Sequence, residues 1–384
     1  MSNDSILRLA AVSGLLLLGS PASALQSDDI PGVGEPGGPG RVLSPAEMAQ
    51  WLRGRALFDE PVHRSKGLGF PEMNADSCRG CHQDPAVGGA GGLELNVFRA
   101  ANDNGGNGPF LDIPGGQAFS KLYPPWVPDR EEHDPGLADV FEQRQTPSIL
   151  GGGLIDSISD AEILSHQDLT DSDGDGIFGY ARMIDTGGGM EVGRFGWRGQ
   201  IPHMEDFVRD ASGGELGITT PDDGRGFAFA TDSDTVPDPE FSDAEVDDMT
   251  FFLNELGPPL RTFSADPRVV LGEMIFSAVG CNKCHRPSLM GPGGPVPLYS
   301  NLLLHNVMPP DFRGMAEPGA DVGFYRTPPL WGIKDTAPYF HDGRAETLSD
   351  AILMHDGEAL QVRNAVAALS LDDQMALVSF LRDL

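Results

Sequence analysis

The chain has 384 residues, with 26 Lys+Arg against 57 Asp+Glu and a formal net charge of −31. That balance argues against non-specific binding to nucleic acid, whose phosphates need basic side chains, and it favours attraction to a basic partner. Hydrophobic residues make up 40%, enough for a core, while 50 Gly and 32 Pro predict long irregular loops between modest helices.

In chain order, Arg8, the apolar run from Leu9 to Gly19 and the Ala22-Ser23-Ala24 step read as an export signal cleaved after Ala24 (segment 1–24). The run is shorter than the roughly 20 apolar residues that a membrane anchor needs. The expectation is a periplasmic protein with no stable membrane insertion. Residues 25–43 read as a flexible leader. Ser44-Pro45-Ala46-Glu47 has the spacing of a capping box and opens a helix that buries Met48, Trp51 and Leu52. Ser242-Asp243-Ala244-Glu245 repeats the signal ahead of Met249, Phe252, Leu253 and Leu256, and Gly257-Pro258-Pro259 stops that helix. Further helices run from Asp266 to about Val279 and from Ser370 through Phe380 and Leu381. No convincing period-2 run marks a strand, so the chain reads as mostly helical.

The sequence repeats itself. Gly54-x-x-Leu57-Phe58 precedes Cys78-Arg79-Gly80-Cys81-His82, and Gly272-x-x-Ile275-Phe276 precedes Cys281-Asn282-Lys283-Cys284-His285. Thr146-Pro147-Ser148-Ile149-Leu150-Gly151 is echoed by Thr327-Pro328-Pro329-Leu330-Trp331-Gly332. The segment from Ser159 to His166 is echoed by that from Ser349 to His355, with one residue inserted. Four matches in one order predict two related units, 44–240 with an insertion and 241–384.

Cys-x-x-Cys-His occurs twice and uses all four cysteines. The spacing lets two thiols form thioethers to haem vinyl groups while the adjacent His reaches the iron. A redox dithiol needs no following His, and a four-cysteine zinc site leaves both histidines unexplained. Two covalently bound c-type haems are therefore expected, with His82 and His285 as proximal ligands and no thiol left for thiol–disulfide chemistry.

With these motifs, the chain resembles the di-haem cytochrome c peroxidase and MauG superfamily, and more narrowly the di-haem oxidoreductase family labelled "probable thiol oxidoreductase". Further residues that carry the likeness are Arg194-Phe195-Gly196-Trp197, the stretch from Tyr299 to Met308, the segment from Arg326 to Gly332, the segment from Ala337 to Arg344, and Thr347-Leu348-Ser349-Asp350-Ala351-Ile352. The resemblance implies a mostly α fold of two cytochrome c-like haem domains with long irregular loops. It implies an oxidoreductase that passes electrons from a small redox protein, a basic cytochrome c or a cupredoxin, through the C-terminal haem to the N-terminal haem, where hydrogen peroxide or a similar oxidant is reduced. Two alternatives stand beside it: MauG-like oxidation of a protein substrate, and a non-catalytic di-haem electron carrier. A homodimer is common among such peroxidases, although nothing in the sequence shows one.

The resemblance also assigns residues. The segment matching Thr347 to Ala351 is followed in the peroxidases by a Met ligand of the C-terminal haem and in MauG by Tyr, and here that position falls on His355. Met308 is the rival. His166 holds the matching place in the first repeat and, with Glu162, is a candidate for the distal pocket of the N-terminal haem. His133 is another candidate distal ligand, with His203 below it. The inter-haem Trp of the peroxidases is missing at its usual place, leaving Trp197 and Trp331 as relay candidates or core aromatics. His341 and Arg344 read as support for the surroundings of the second haem. Apart from the resemblance, Asp171, Asp173 and Asp175, with Gly176 in the sixth place, look like half a calcium loop, but Arg182 stands where an EF-hand has Glu. Calcium and a solvated acidic turn both remain open.

Overall fold

The computed structural model describes residues 30–69, 73–102, 104, 118–119 and 135–384. The segment 1–24 read as an export signal, the expected leader as far as residue 29 and His133 lie outside the described residues. In chain order the elements are α1 (Pro45–Asp59), β1 (Val97–Ala101), β2 (Ala118–Phe119), β3 (Val140–Arg144), α2 (Gly152–Asp156), α3 (Asp160–Leu164), β4 (Met183–Asp185), β5 (Met190–Val192), α4 (Met204–Ala211), α5 (Asp243–Glu255), α6 (Pro267–Val279), β6 (Leu289–Gly291), β7 (Gly294–Val296), β8 (Leu304–Asn306), β9 (Phe324–Arg326), α7 (Leu348–Met354), α8 (Leu360–Ala367) and α9 (Leu371–Leu381).

The caps follow from the sequence. Ser44 with Glu47 and Ser242 with Glu245 each form the reciprocal pair that satisfies two orphan amides, at the starts of α1 and α5. α6 starts where the Asp266 carboxylate accepts from the Arg268 amide, with Pro267 in its first turn. It ends at Gly280, whose φ of +99° turns the chain directly into Cys281.

Two helix pairs form the framework, and both are built around a glycine. A Cβ on Gly54 of α1 would overlap the Asp248 carbonyl of α5 and crowd Phe252; a Cβ on Gly272 of α6 would overlap the Ala376 carbonyl of α9 and crowd Phe380. Backbone thus packs directly against backbone at both crossings. The same aromatic pattern flanks each: Phe58 lies 5.4 Å from Phe252, and Phe276 lies 5.3 Å from Phe380, centroid to centroid. Trp51 adds a further edge contact to Phe252 at 5.0 Å. The second core continues through Tyr299, Leu348, Val366, Leu377 and Leu381.

Two expectations need correction. The sequence boundary at 240/241 assigns α5 to the C-terminal unit, yet α5 packs on α1 and completes the first helix pair. Residues 31–384 form one compact unit. Strands are also present: a three-stranded antiparallel sheet in the order β2-β1-β3 and the two-stranded pairs β4-β5, β6-β7 and β8-β9. None exceeds five residues, too short for a two-residue alternation to stand out.

Gly54→Ala and Gly272→Ala should each lower stability by about 3 kcal/mol or more, because a methyl group must be forced between two backbones. Urea midpoints at unchanged m-value check this. A shift of a few tenths of a kilocalorie would show that the crossings can relax.

Candidate functional site

Both Cys-x-x-Cys-His segments take up the same tight turn. The His82 amide donates to the Cys78 carbonyl at 3.0 Å, and the His285 amide donates to the Cys281 carbonyl at 2.9 Å. The four cysteines are free of disulfides. Burial, and then the neighbouring cysteine, pushes the Cys78 and Cys281 thiols up to about 12, so neither is a thiolate near neutral pH.

The histidines are held by backbone carbonyls. His82 Nδ1 donates to the Gly89 carbonyl at 3.1 Å, His285 Nδ1 to the Tyr299 carbonyl at 3.0 Å, and His355 Nδ1 to the Ala351 carbonyl at 2.7 Å. A carbonyl only accepts, so each Nδ1 carries the proton and each Nε2 keeps its lone pair. Burial lowers all three imidazoles, His82 to about 4 and His285 to about 3, and the proximity of His355 lowers His285 further. The rings are neutral, which is the form that binds a metal. Tyr299 adopts a φ of +52°, and its hydroxyl is anchored by Arg261 at 3.0 Å and Glu273 at 3.2 Å.

His285, His355, Cys281 and Cys284 share the wall of a cavity of about 270 Å³. Its other walls come from both repeats, including Gln145 to Leu150, Trp197, Arg326 and Trp331. The Pro147 carbonyl faces His82 from the same stretch. Trp197 donates from its indole to the Gln145 carbonyl at 2.7 Å. Met308 also lines the cavity, and its sulfur lies 3.5 Å from an Arg344 guanidinium nitrogen. Met354 is turned outward and 44% exposed.

Other candidates from the sequence lie elsewhere. His166 Nε2 is 3.2 Å from Glu162, and the same Glu162 oxygen accepts from the Met290 amide at 2.8 Å. Neither residue is part of the cavity wall; an i,i+4 pair on α3 and its following turn meets β6 instead. His203 is bound by Asp156 at 2.8 Å and Glu191 at 3.0 Å, also away from the cavity. Asp171, Asp173 and Asp175 bring ligand oxygens within 4.8 Å of one another. One Asp175 oxygen is paired with Lys283 at 2.6 Å, tying this loop to the second Cys-x-x-Cys-His.

Sequence reading missed a buried ionic network beside the cavity. Glu317 holds Arg99 at 2.6 Å and both Arg144 and Arg182 at 2.8 Å; Glu142 pairs with Arg144 and lies 3.6 Å from Arg198. It also missed Arg326. This side chain is buried and donates to the Gly196 and Thr327 carbonyls. Among the described residues no carboxylate pairs with it, and burial lowers it to about 10. His305 was missed as a buried partner of Glu358, at 2.9 Å.

The model of the family described as "Di-haem oxidoreductase, putative peroxidase" matches residues 138–384. The chain belongs to the di-haem oxidoreductase family. Comparison with curated proteins returned no match. Solved structures similar to the chain include hydrazine synthase of Kuenenia stuttgartiensis under xenon pressure, at 17% identity and a TM-score of 0.41, covering 98% of this chain and 100% of that one. They also include a MauG-like protein associated with microbial copper homeostasis, at 16% identity and a TM-score of 0.36, covering 93% and 94%. Neither likeness bears on the reaction.

Haem is the cofactor this family implies, and the residues fit it on three counts. The donor imidazoles are neutral and half-buried, and two of them share one cavity. The paired thiols of each motif stand beside the proximal His, and Cys78 and Cys281 stay uncharged. Arg326 offers a buried cation without an acidic partner, suited to a cofactor carboxylate.

Burial opposes charge on Glu317, but Arg144 and Arg99 outweigh it and hold its carboxyl well below the usual range. The stabilisation is present above the unfolded carboxyl pKa of 4.5 and is lost as the pH falls below it toward the folded value. Glu317→Gln should cost about 3–5 kcal/mol at pH 7, because it takes the carboxylate from Arg99 and Arg182 and leaves Arg144 to Glu142 alone. It should also flatten the acid limb of a stability–pH curve. An unchanged acid limb would remove Glu317 from this role.

Proposed function

We propose that this protein is an exported oxidoreductase that carries two covalently attached c-type haems and reduces hydrogen peroxide or a similar oxidant at the expense of a small, basic redox protein. One observation carries the reading: two neutral imidazoles, His285 and His355, stand on the wall of one cavity beside Cys281 and Cys284. In this reading Cys281 and Cys284 would hold the second haem by thioethers, with His285 and His355 as its ligand nitrogens, and Cys78, Cys81 and His82 would hold the first. When bound, the haems supply the electron storage and the site of oxidant reduction.

The chain's own residues then orient, shield and balance. The Tyr299, Ala351 and Gly89 carbonyls fix each imidazole in the tautomer that presents Nε2. Arg326 offsets a cofactor carboxylate. The apolar walls exclude water, and Trp197 and Trp331 offer aromatic bodies along the same wall. The net charge of −31 steers a basic electron donor toward the surface and repels acidic ones.

Optical and EPR spectra of the holo-protein, before and after one equivalent of hydrogen peroxide, test the reading. A high-spin ferric signal that peroxide abolishes, beside a low-spin bis-His signal, is expected. Two low-spin haems that peroxide leaves untouched, both oxidised and half-reduced, would make the protein an electron carrier. His355→Met separately tests the ligand: one midpoint potential should rise by on the order of 0.1 V while the other stays put. Two unchanged midpoints would exclude His355 as an axial ligand.

A further inference from the structure

The last three helices wall the haem cavity with their inner faces. Ala351 and Ile352 of α7, Val366 of α8 and Leu377 of α9 line it, and His355 caps α7 on the same wall. A helix that packs by one face keeps its solvent side polar. Here the solvent side is apolar. Leu353 and Met354 at the end of α7 are 45% and 44% exposed, and Leu371 and Met375 on α9 are 76% and 47% exposed. Between the two pairs the chain runs through α8, which is followed at once by α9 and offers Ala365, Ala367 and then Ala368 to solvent.

Charge surrounds this strip. Residues 346–373 carry six acidic side chains, Glu346, Asp350, Asp356, Glu358, Asp372 and Asp373, against Arg363 alone. Arg363 is taken up by Asp356 at 2.8 Å, and Glu358 turns inward to His305. Glu346 and Asp372 are exposed and enter no ion pair among the described residues. The Cys-x-x-Cys-His side of the same cavity has the opposite sign. No acidic residue occurs between Glu273 and Asp311, and the turn carries Lys283 and Arg286. Asp175 answers Lys283, whereas Arg286 is exposed.

We propose that the outer face of α7, α8 and α9 is the docking surface for the electron donor, a small basic redox protein that meets it through an apolar contact patch ringed by cations. Charge complementarity selects this occupant: the acidic rim attracts a basic protein and repels an acidic one or an anionic membrane, while Lys283 and Arg286 turn a basic protein away from the opposite side. The wall at α7 is one helix thick. A donor resting on Leu353 and Met354 therefore stands roughly 10 Å from the cavity that His355 borders. This inference rests on the donor-driven reading above and gives its partner a place to land.

The test uses the holo-protein and horse-heart cytochrome c, a basic probe. A haem with histidine on both sides has a lower potential than one with His and Met, so the ferric probe is read as acceptor from the reduced holo-protein by stopped-flow absorbance, with uncharged 1,4-benzoquinone as control. Glu346→Lys combined with Asp372→Lys should slow the cytochrome reaction by about fivefold or more at low ionic strength. It should weaken calorimetric binding of the ferric probe to the oxidised holo-protein by a similar factor and leave the benzoquinone rate and both midpoint potentials in place. The difference should vanish at about 1 M salt, where the Debye length is roughly 3 Å. Leu353→Ser should weaken binding at every salt concentration. If the double variant stays within about twofold of the wild type in both measurements, the donor lands elsewhere and this inference falls while the proposed reaction stands. If the wild type neither binds the cytochrome nor exchanges electrons with it at any ionic strength, the basic partner is lost from both readings.

Discussion

Backbone-to-backbone contact at Gly54 and Gly272 is the constraint on which the remainder of the molecule depends. Each contact brings two helices close enough for a phenylalanine on one to be clasped by aromatic residues of the other. In the second pair, α6 then ends at Gly280 and delivers Cys281 without an intervening loop. Any thickening of the crossing would displace the cysteine turn, and with it the histidine that follows three residues after Cys281's immediate neighbour. The second Cys-x-x-Cys-His turn is therefore positioned by the smallest residue in the chain.

Around that framework, uncharged donors sit in the apolar interior and charge collects at its border. His285 and His355 are neutral because burial penalises the imidazolium, and each is tied to a carbonyl through Nδ1, which leaves Nε2 its lone pair. The ions gather in the Glu142–Glu317 network, where four arginines share two carboxylates. That border explains how an interior suited to haem can lie against strongly polar surroundings. Arg326 differs: a buried cation on the cavity wall that, among the described residues, is held by carbonyls and no carboxylate.

Much of this was legible because it is local. Both capping boxes, the glycine–aromatic repeat and the Cys-x-x-Cys-His turns need only a few consecutive residues. What could not be read depends on long-range neighbours. Glu317 meets Arg99, Arg144 and Arg182 across 218, 173 and 135 residues. α5 looks like the start of a second unit until its contact with Gly54 is seen. Glu162 and His166 show their i,i+4 spacing in the sequence, but only the fold reveals that they face Met290. The short strands escape because a five-residue alternation is no longer than chance runs.

The shared cavity has a consequence for how this duplicated chain behaves as a whole. Segment 145–150 of the first repeat walls a space whose cysteines belong to the second, and the Gln145 amide is bonded to His341. Neither copy encloses its own interior. Residues 31–384 form one compact unit, so opening either repeat exposes the wall of the shared cavity. A cut between α5 and α6 would yield two open shells and no pair of miniature cytochromes.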